Sequence, residues 1–469
     1  MSSPPSSSAK LTQGSIPSHL VGQTLPAIIG VAAIMSIGVV DAYFIGKLGS
    51  DALAAISFIF PITVALSSLG VGVMVGINSV VARALGEGND DRAARRANFG
   101  LVFAVSVGVV IGLALFAATD PLFRLMNAPD DLMPLIQMYM RPYALGFPLI
   151  LAIMGFNGVL RGQGEARKTS YVSLTYAAAN WVLDPILITG AFGFEGFGIT
   201  GAAYATVIGW AVGAAMAMIL VGKTDIPINL SLIGKGSLAD SAIAISRVAG
   251  PAAFSNAINP IGLSILTALI ASAGQDAVAG FGAAGRLQSF ATVPLLALSG
   301  AIGSIVGQNW GANQFDRARK AAVYAGLFCV AWGLATAVLL TSAGEFFAQL
   351  FTDKPAVIEE FALYLEIAAW GYAGFGILIV ANGILNSIDK AAFALVQSAL
   401  RVFLVMLPVA WVLQESWGSS AIYTAELAAN GFGAVTGAFL IWWVLGRRVK
   451  GDTSSQSSSG AVKPTSQSS

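Results

Sequence analysis

The chain has 469 residues, 56% of them hydrophobic and 10% charged, with a formal net charge of +1. Soluble domains average about 25% charged residues, so the composition rules out a soluble globular protein and points to an integral membrane protein. The near-neutral balance offers nothing to nucleic acid, and a lone cysteine, Cys329, with a lone histidine, His19, leaves neither an intramolecular disulfide nor a His/Cys metal cluster.

In chain order, the sequence opens on a Ser-rich segment, residues 1–17, expected to be disordered. Apolar windows then predict six transmembrane helices near 20–45, 53–84, 98–118, 133–159, 171–190 and 198–222. The hydrophilic linker at 223–242 is too short for a domain, so an ion gradient, not bound ATP, is the expected energy source. Six more windows follow near 243–272, 278–307, 321–342, 359–385, 392–413 and 422–446, before a second Ser-rich tail at 448–469, also expected to be disordered. The expected fold is therefore all-α, with twelve transmembrane helices in an N-lobe at 18–222 and a C-lobe at 243–447. Nineteen Lys and Arg residues fall on one side of this topology and four on the other: Lys47, Arg124, Arg141 and Lys354. That excess marks the cytoplasmic side, to which both termini of a plasma-membrane protein would belong. Arg286 and Arg401 lie inside predicted spans.

An internal repeat divides the chain. "GSDALAA" at 49–55 matches "GQDAVAG" at 274–280, which sets Gly49 on Gly274. With no gap the same register carries "INSVV" (77–81) onto "IGSIV" (302–306), Gly86 onto Gly311 and "DRA" (91–93) onto "DRA" (316–318). Six passes separate equivalent points, so the halves keep the same orientation. Parallel repeats of this kind put a site between or within the halves, and rocking them gives alternating access. Asp51 and Asp276, equivalent across the repeat, are expected to cap helices two and eight.

Carboxylates inside spans cost roughly 2.5–3.5 kcal/mol each at a helix centre and mark functional sites by default. Asp41 closes "IMSIGVVDAYFIG" in span one, and Asp184 lies in "AANWVLDPILITG" in span five. Tyr176, Asn180 and Asp184 are spaced i, i+4, i+8, with Ser173 seven residues before Asn180, so one helix face carries a polar stripe. If Asp41 and Asp184 approach each other in a low-dielectric interior, both cannot easily ionise, and a proton held between them becomes exchangeable cargo. The same oxygens suit Na⁺. The competing reading makes Asp41 a membrane-end residue near Lys47 and Asp184 a helix-end residue before Pro185.

"VVDAYFIGKLGSDALAAISFIFPI", "NGVLRGQGEARK", "GITGAAYAT" and "GQNWGANQFDRARKAA", in this order and in both halves, resemble the multidrug and toxic compound extrusion (MATE) transporters over residues 18–447. Asp41 together with "NWVLD" resembles the DinF-like branch. Asn259, where the NorM-like branch has glutamate, departs from that other branch. The resemblance implies a coupling site of Asp41, Asn180, Asp184 and Thr206, with Thr200 a rival for the threonine. Asn157, Tyr176 and Tyr139 complete the candidate ion-coupling and substrate-binding set. It implies a non-enzymatic monomer without cofactors, exporting amphipathic, often cationic, organic compounds across the bilayer in exchange for H⁺ or Na⁺. A flippase for lipid-linked precursors is the alternative, with Arg286 and Arg401 as the only candidates to meet phosphate. An enzyme or a channel fits less well, for want of loop-borne Asp/His clusters and because of the two-lobe repeat.

Overall fold

The computed structural model describes residues 9–191, 193 and 195–459. The first half consists of α1 (Ile16–Gly46), α2 (Ser50–Gly86), α3 (Asp90–Leu125), α4 (Met133–Gly162), α5 (Ala166–Asp184) and α6 (Ile199–Gly222). The second half begins with α7 (Leu238–Ile270), α8 (Gln275–Gly311) and α9 (Phe315–Ser342). A short α10 (Gly344–Gln349) then leads to α11 (Pro355–Ala368) and α12 (Tyr372–Ser387), which together make one pass. Another pass is made by α13 (Ala391–Ala399) and α14 (Leu407–Trp417), and the last by α15 (Ser419–Ser459). Among the described residues, eleven passes are long and apolar enough to cross a bilayer. The twelfth, α5, is 19 residues long and more polar: it opens with Arg167 and Lys168 and carries buried Thr169, Ser170, Ser173, Asn180 and Asp184.

The repeat is written into the backbone. Gly49 and Gly274, which the repeat superposes, open α2 and α8 with φ of 116° and 111°, a region that favours glycine. They hold the N-cap positions, so Asp51 and Asp276 do not cap as expected. Both lie in the first turn, where their charge meets the positive end of the helix dipole.

The halves meet at the end of the molecule where α1 begins and α6 ends. There α2 packs on α7 and α8, and α1 packs on α8. Glycine permits the approach: a Cβ on Gly86 would lie 2.0 Å from the Gln308 carbonyl, and one on Gly311 2.2 Å from the Arg83 carbonyl. Polar contacts fasten the same end. Ser304 Oγ donates to Asn78 Oδ1 at 3.1 Å, Ser79 Oγ to the Asn386 carbonyl at 2.8 Å, and Gln308 Nε2 to the Gly162 carbonyl at 2.8 Å. Further along α8 the face that makes these contacts is buried at Val293, Ala297 and Ala301 but exposed at Gly282, Arg286 and Phe290. The halves therefore part, leaving a cleft that opens at the opposite end.

Both tails depart from expectation where they are described. Residues 9–17, expected to be disordered, are ordered: Lys10–Thr12 form a helical turn and α1 begins at Ile16. The physical reason is Leu11, 2% exposed, which is buried between the halves. Its N–H donates to Gln308 Oε1 at 2.9 Å, and its carbonyl accepts from Asn309 Nδ2 at 3.1 Å. At the other end α15 continues to Ser459, past the expected boundary at 447, since extending a formed helix fixes only one residue per added hydrogen bond. Residues 1–8 and 460–469 lie outside the described residues. The linker is shorter than expected, because α7 starts at Leu238 behind the Ser237 cap. It is also tied to the first half: Asn229 N–H donates to Asn98 Oδ1 at 2.7 Å and Ile226 N–H to Gln163 Oε1 at 3.3 Å.

Candidate functional site

The polar stripe of α5 turns inward, as its spacing predicts. Ser173, Tyr176, Asn180 and Asp184 are all buried, and Asp184 is 0% exposed. What they meet is α1. A Cβ on Gly30 would lie 3.3 Å from Ser170 Cα and 3.5 Å from Ser173 Oγ, so the two helices run close together. Ser170 Oγ donates to the Pro26 carbonyl at 2.5 Å, a further tie between α1 and α5.

Near the end opposite the termini, this pairing brings Asp41 of α1 against Asp184, with the two side chains facing each other. Tyr139 of α4 and Thr206 of α6 face each other beside both carboxyls. Asn180 stands one turn before Asp184 on the same face. The Asp41 Oδ1, both Asp184 oxygens, both polar atoms of Asn180 and the Thr206 hydroxyl are buried without a hydrogen-bond partner in the protein. An orphaned buried polar group costs about 1–3 kcal/mol, more when charged, so six together define a site built to receive something. Two carboxylates offer only acceptors to each other. Their contact is stable when a proton is shared or a cation sits among the oxygens.

The exit from Asp184 is shaped for the purpose. Pro185 begins a π-helical turn, Pro185–Thr189. The loop before α6 caps that turn: Phe197 N–H donates to the Leu187 carbonyl at 2.7 Å, and Gly198 N–H to the Ile188 carbonyl at 3.1 Å. A Cβ on Gly201 would lie 1.9 Å from the Leu187 carbonyl, so glycine there lets α6 press the turn into place.

Of the sequence-predicted residues, the structure gathers Asp41, Asn180, Asp184, Thr206 and Tyr139. Thr206, not Thr200, faces the pair; Thr200 stays in the first turn of α6. Tyr176 shares the buried face, but its ring fills the space opposite Gly213 of α6. Asn157 is a correction. It is buried with an unpartnered Oδ1, but it lies 18 residues along α4 from Tyr139, roughly 27 Å of helix, and so belongs to another part of the half. Motif position placed it in the candidate set, and its depth along α4 sets it apart from the pair.

A second polar cluster goes unread in the sequence. Glu426 of α15 is 2% exposed, accepting from Gln288 Nε2 at 2.6 Å and from the Tyr364 hydroxyl at 3.0 Å. Arg401, 3% exposed, donates to Asn259 Oδ1 at 2.8 Å and Asn430 Oδ1 at 2.6 Å. The available signal was Glu426 and Asn430 at i, i+4 in the last span, one face carrying an acid and an amide.

Two parallel six-helix halves, joined at one end and holding an acidic pair inside one half, define a multi-pass membrane carrier. The MatE family profile matches residues 26–186 and 251–412, and the chain belongs to that family, the MATE efflux transporters. The two matches start at Pro26 and Pro251, which the sequence repeat also superposes. An FAD transporter of Shewanella oneidensis is 31% identical over 391 residues, covering 83% of this chain and 86% of that one. YpnP of Bacillus subtilis, a probable multidrug resistance protein, is 28% identical over 428 residues, 90% of this chain and 92% of its own. Among solved structures, the MATE transporter VcmN of Vibrio cholerae superposes with a TM-score of 0.87 at 26% identity, over 95% of this chain and 98% of that one. An outward-facing MATE transporter shares the fold, with a TM-score of 0.89 over 96% of this chain and 100% of that one, at 23% identity.

Proposed function

We propose that this chain is a secondary active exporter of amphipathic organic compounds, driven by entry of H⁺ or Na⁺ through the first half. In this reading it belongs to the DinF-like branch of the family. The single observation that carries it is the buried Asp41–Asp184 pair, two carboxyls in contact with no donor between them and with Asn180, Thr206 and Tyr139 around them. Such a pair exchanges a proton, or binds a small cation through its oxygens, more readily than either carboxylate alone. Coupling requires only that the ion favour one facing state by its differential affinity.

The 19-to-4 excess of basic residues supports a cytoplasmic location for the joined end and for both termini. The conformation described above is then outward-facing, with the cleft open to the exterior. Relatives named for multidrug resistance and for FAD support a substrate class of amphipathic, ring-bearing compounds that includes both.

The test is efflux from proteoliposomes under an imposed H⁺ or Na⁺ gradient, comparing wild type with Asp41→Asn and Asp184→Asn. Loss of gradient-driven efflux in both, with normal insertion, is the expected result, and the gradient that drives wild type names the ion. Normal efflux from both variants would remove the pair from coupling.

A further inference from the structure

Arg286 is a charge in a membrane span with no partner to balance it among the described residues. It is exposed on α8, and among the described residues it makes no ion pair or hydrogen bond. Charged residues inside spans are kept where they face the bundle interior or a water-filled cavity. The face of α8 identifies the cavity. Gly311, Gln308, Ser304 and Gly300 meet the first half, and at 100° per residue Arg286 falls within about 20° of the middle of that stripe. Its side chain therefore leaves α8 toward the first half at a level where the halves have parted. The equivalent residue of the first half, Pro61 of α2, is exposed too, as expected for two facing walls.

The four helices that bring the halves together, α1, α2, α7 and α8, carry few charges away from their ends. Asp41 is engaged with Asp184 inside the first half. Arg83 and Arg247, toward the joined end, both approach Asp389, at 3.8 and 3.7 Å. Arg286 alone is left on the wall. At the floor, Arg161 of α4 abuts Gly300, whose Cβ would lie 2.3 Å from Arg161 Nη1, and its guanidinium likewise has no ion pair or hydrogen bond among the described residues.

We infer that the cleft selects organic anions, with the Arg286 guanidinium binding an anionic oxygen group of the substrate. A guanidinium meets phosphate or carboxylate through paired N–H donors, and Phe290, one turn away and 53% exposed, offers a ring to the apolar part of the same molecule. This rests on the carrier reading above and names its substrate class.

Binding to the purified full-length chain tests it with two pairs of fluorescent probes that share a ring system and differ in charge. FMN, a phosphate ester, is compared with riboflavin, and anionic fluorescein with cationic rhodamine 123. Wild type should hold the anionic member of each pair about tenfold or more tightly. Arg286→Gln should bring both ratios close to one, and Arg286→Lys, which keeps the charge, should retain most of the preference, with unchanged thermal unfolding confirming that both variants fold. Equal affinities within a pair, preference for rhodamine 123, no binding of any probe, or ratios that survive Arg286→Gln would overturn the inference. The binding ratios are read with no imposed gradient, whereas the coupling reading stands or falls on gradient-driven efflux, so either can fail while the other holds.

Discussion

Replacing Gly86 with alanine should open the joined end of the molecule without weakening its helices. The added Cβ would stand 2.0 Å from the Gln308 carbonyl, whereas real Cβ atoms keep beyond 3.0 Å, so α2 and α8 must separate by at least the difference. Neither side can yield alone, because the obstacle is backbone and the symmetric contact at Gly311 is as tight. Overpacking of this kind costs about 1–3 kcal/mol. Here it falls on one conformation only, so it shifts the equilibrium between joined and separated ends by about 5- to 150-fold. Alanine is meanwhile the better helix former, by up to about 1 kcal/mol in a helix interior, so folding stability should hold. Spin labels at Asp91 and Asp316, exposed and equivalent across the repeat, would read the separation by pulsed electron resonance once buried Cys329 is replaced. A longer-distance population in Gly86→Ala is expected. Gly311→Ala should reproduce it, and the double variant should add little, since one separation relieves both contacts. An unchanged distance distribution with wild-type stability would refute the claim that this crossing holds the halves together.

Other substitutions test the interior. Tyr139→Phe removes the hydroxyl that faces Thr206 beside both aspartates, and gradient-driven turnover in proteoliposomes should fall about fivefold, as for one lost neutral polar contact of about 1 kcal/mol. Gly201→Ala puts a Cβ 1.9 Å from the Leu187 carbonyl and displaces the turn that follows Asp184; thermal unfolding should report a loss of about 1–3 kcal/mol. Arg401→Met takes the donor from the Asn259 and Asn430 oxygens in the second half and should destabilise by about 1–3 kcal/mol for each, read by thermal unfolding.

How much of this was legible in the sequence depends on whether a feature is periodic. The stripe on α5 repeats at i, i+4, i+8, and the repeat runs without a gap from Gly49 to Ala93, so both could be read in one dimension. Thr206 was separable from Thr200 only once α6 had a rotation and a depth. Asn157 sits in a matching motif, yet nothing in a motif measures the distance along α4 that removes it from the pair. Leu11 is one apolar residue in a Ser-rich segment, and its burial is created by Gln308 and Asn309, far away in the second half of the chain. Glu426 draws its partners from α8 and α11, 138 and 62 residues away, so its neutralisation cannot be seen locally.

The two halves treat buried charge in opposite ways, and this gives the molecule its asymmetry. In the register of the repeat, Asp41 corresponds to Leu266, which is fully buried, and the stretch 402–413 of the pass equivalent to α5 holds no acid. The second half instead keeps Glu426 within electrostatic reach of Arg401, each held by amide or hydroxyl partners. Removing either Glu426 or Arg401 would leave the other buried with only neutral amide or hydroxyl partners. Asp41 and Asp184 make no ion pair among the described residues, and like charges in contact ask for a proton or a cation. The second half therefore carries buried charge of both signs, and the pair in the first half carries only one. On the coupling proposed above, an ion entering the first half would change the charge of that half alone, and it moves the halves to the extent that it binds one facing state more tightly than the other.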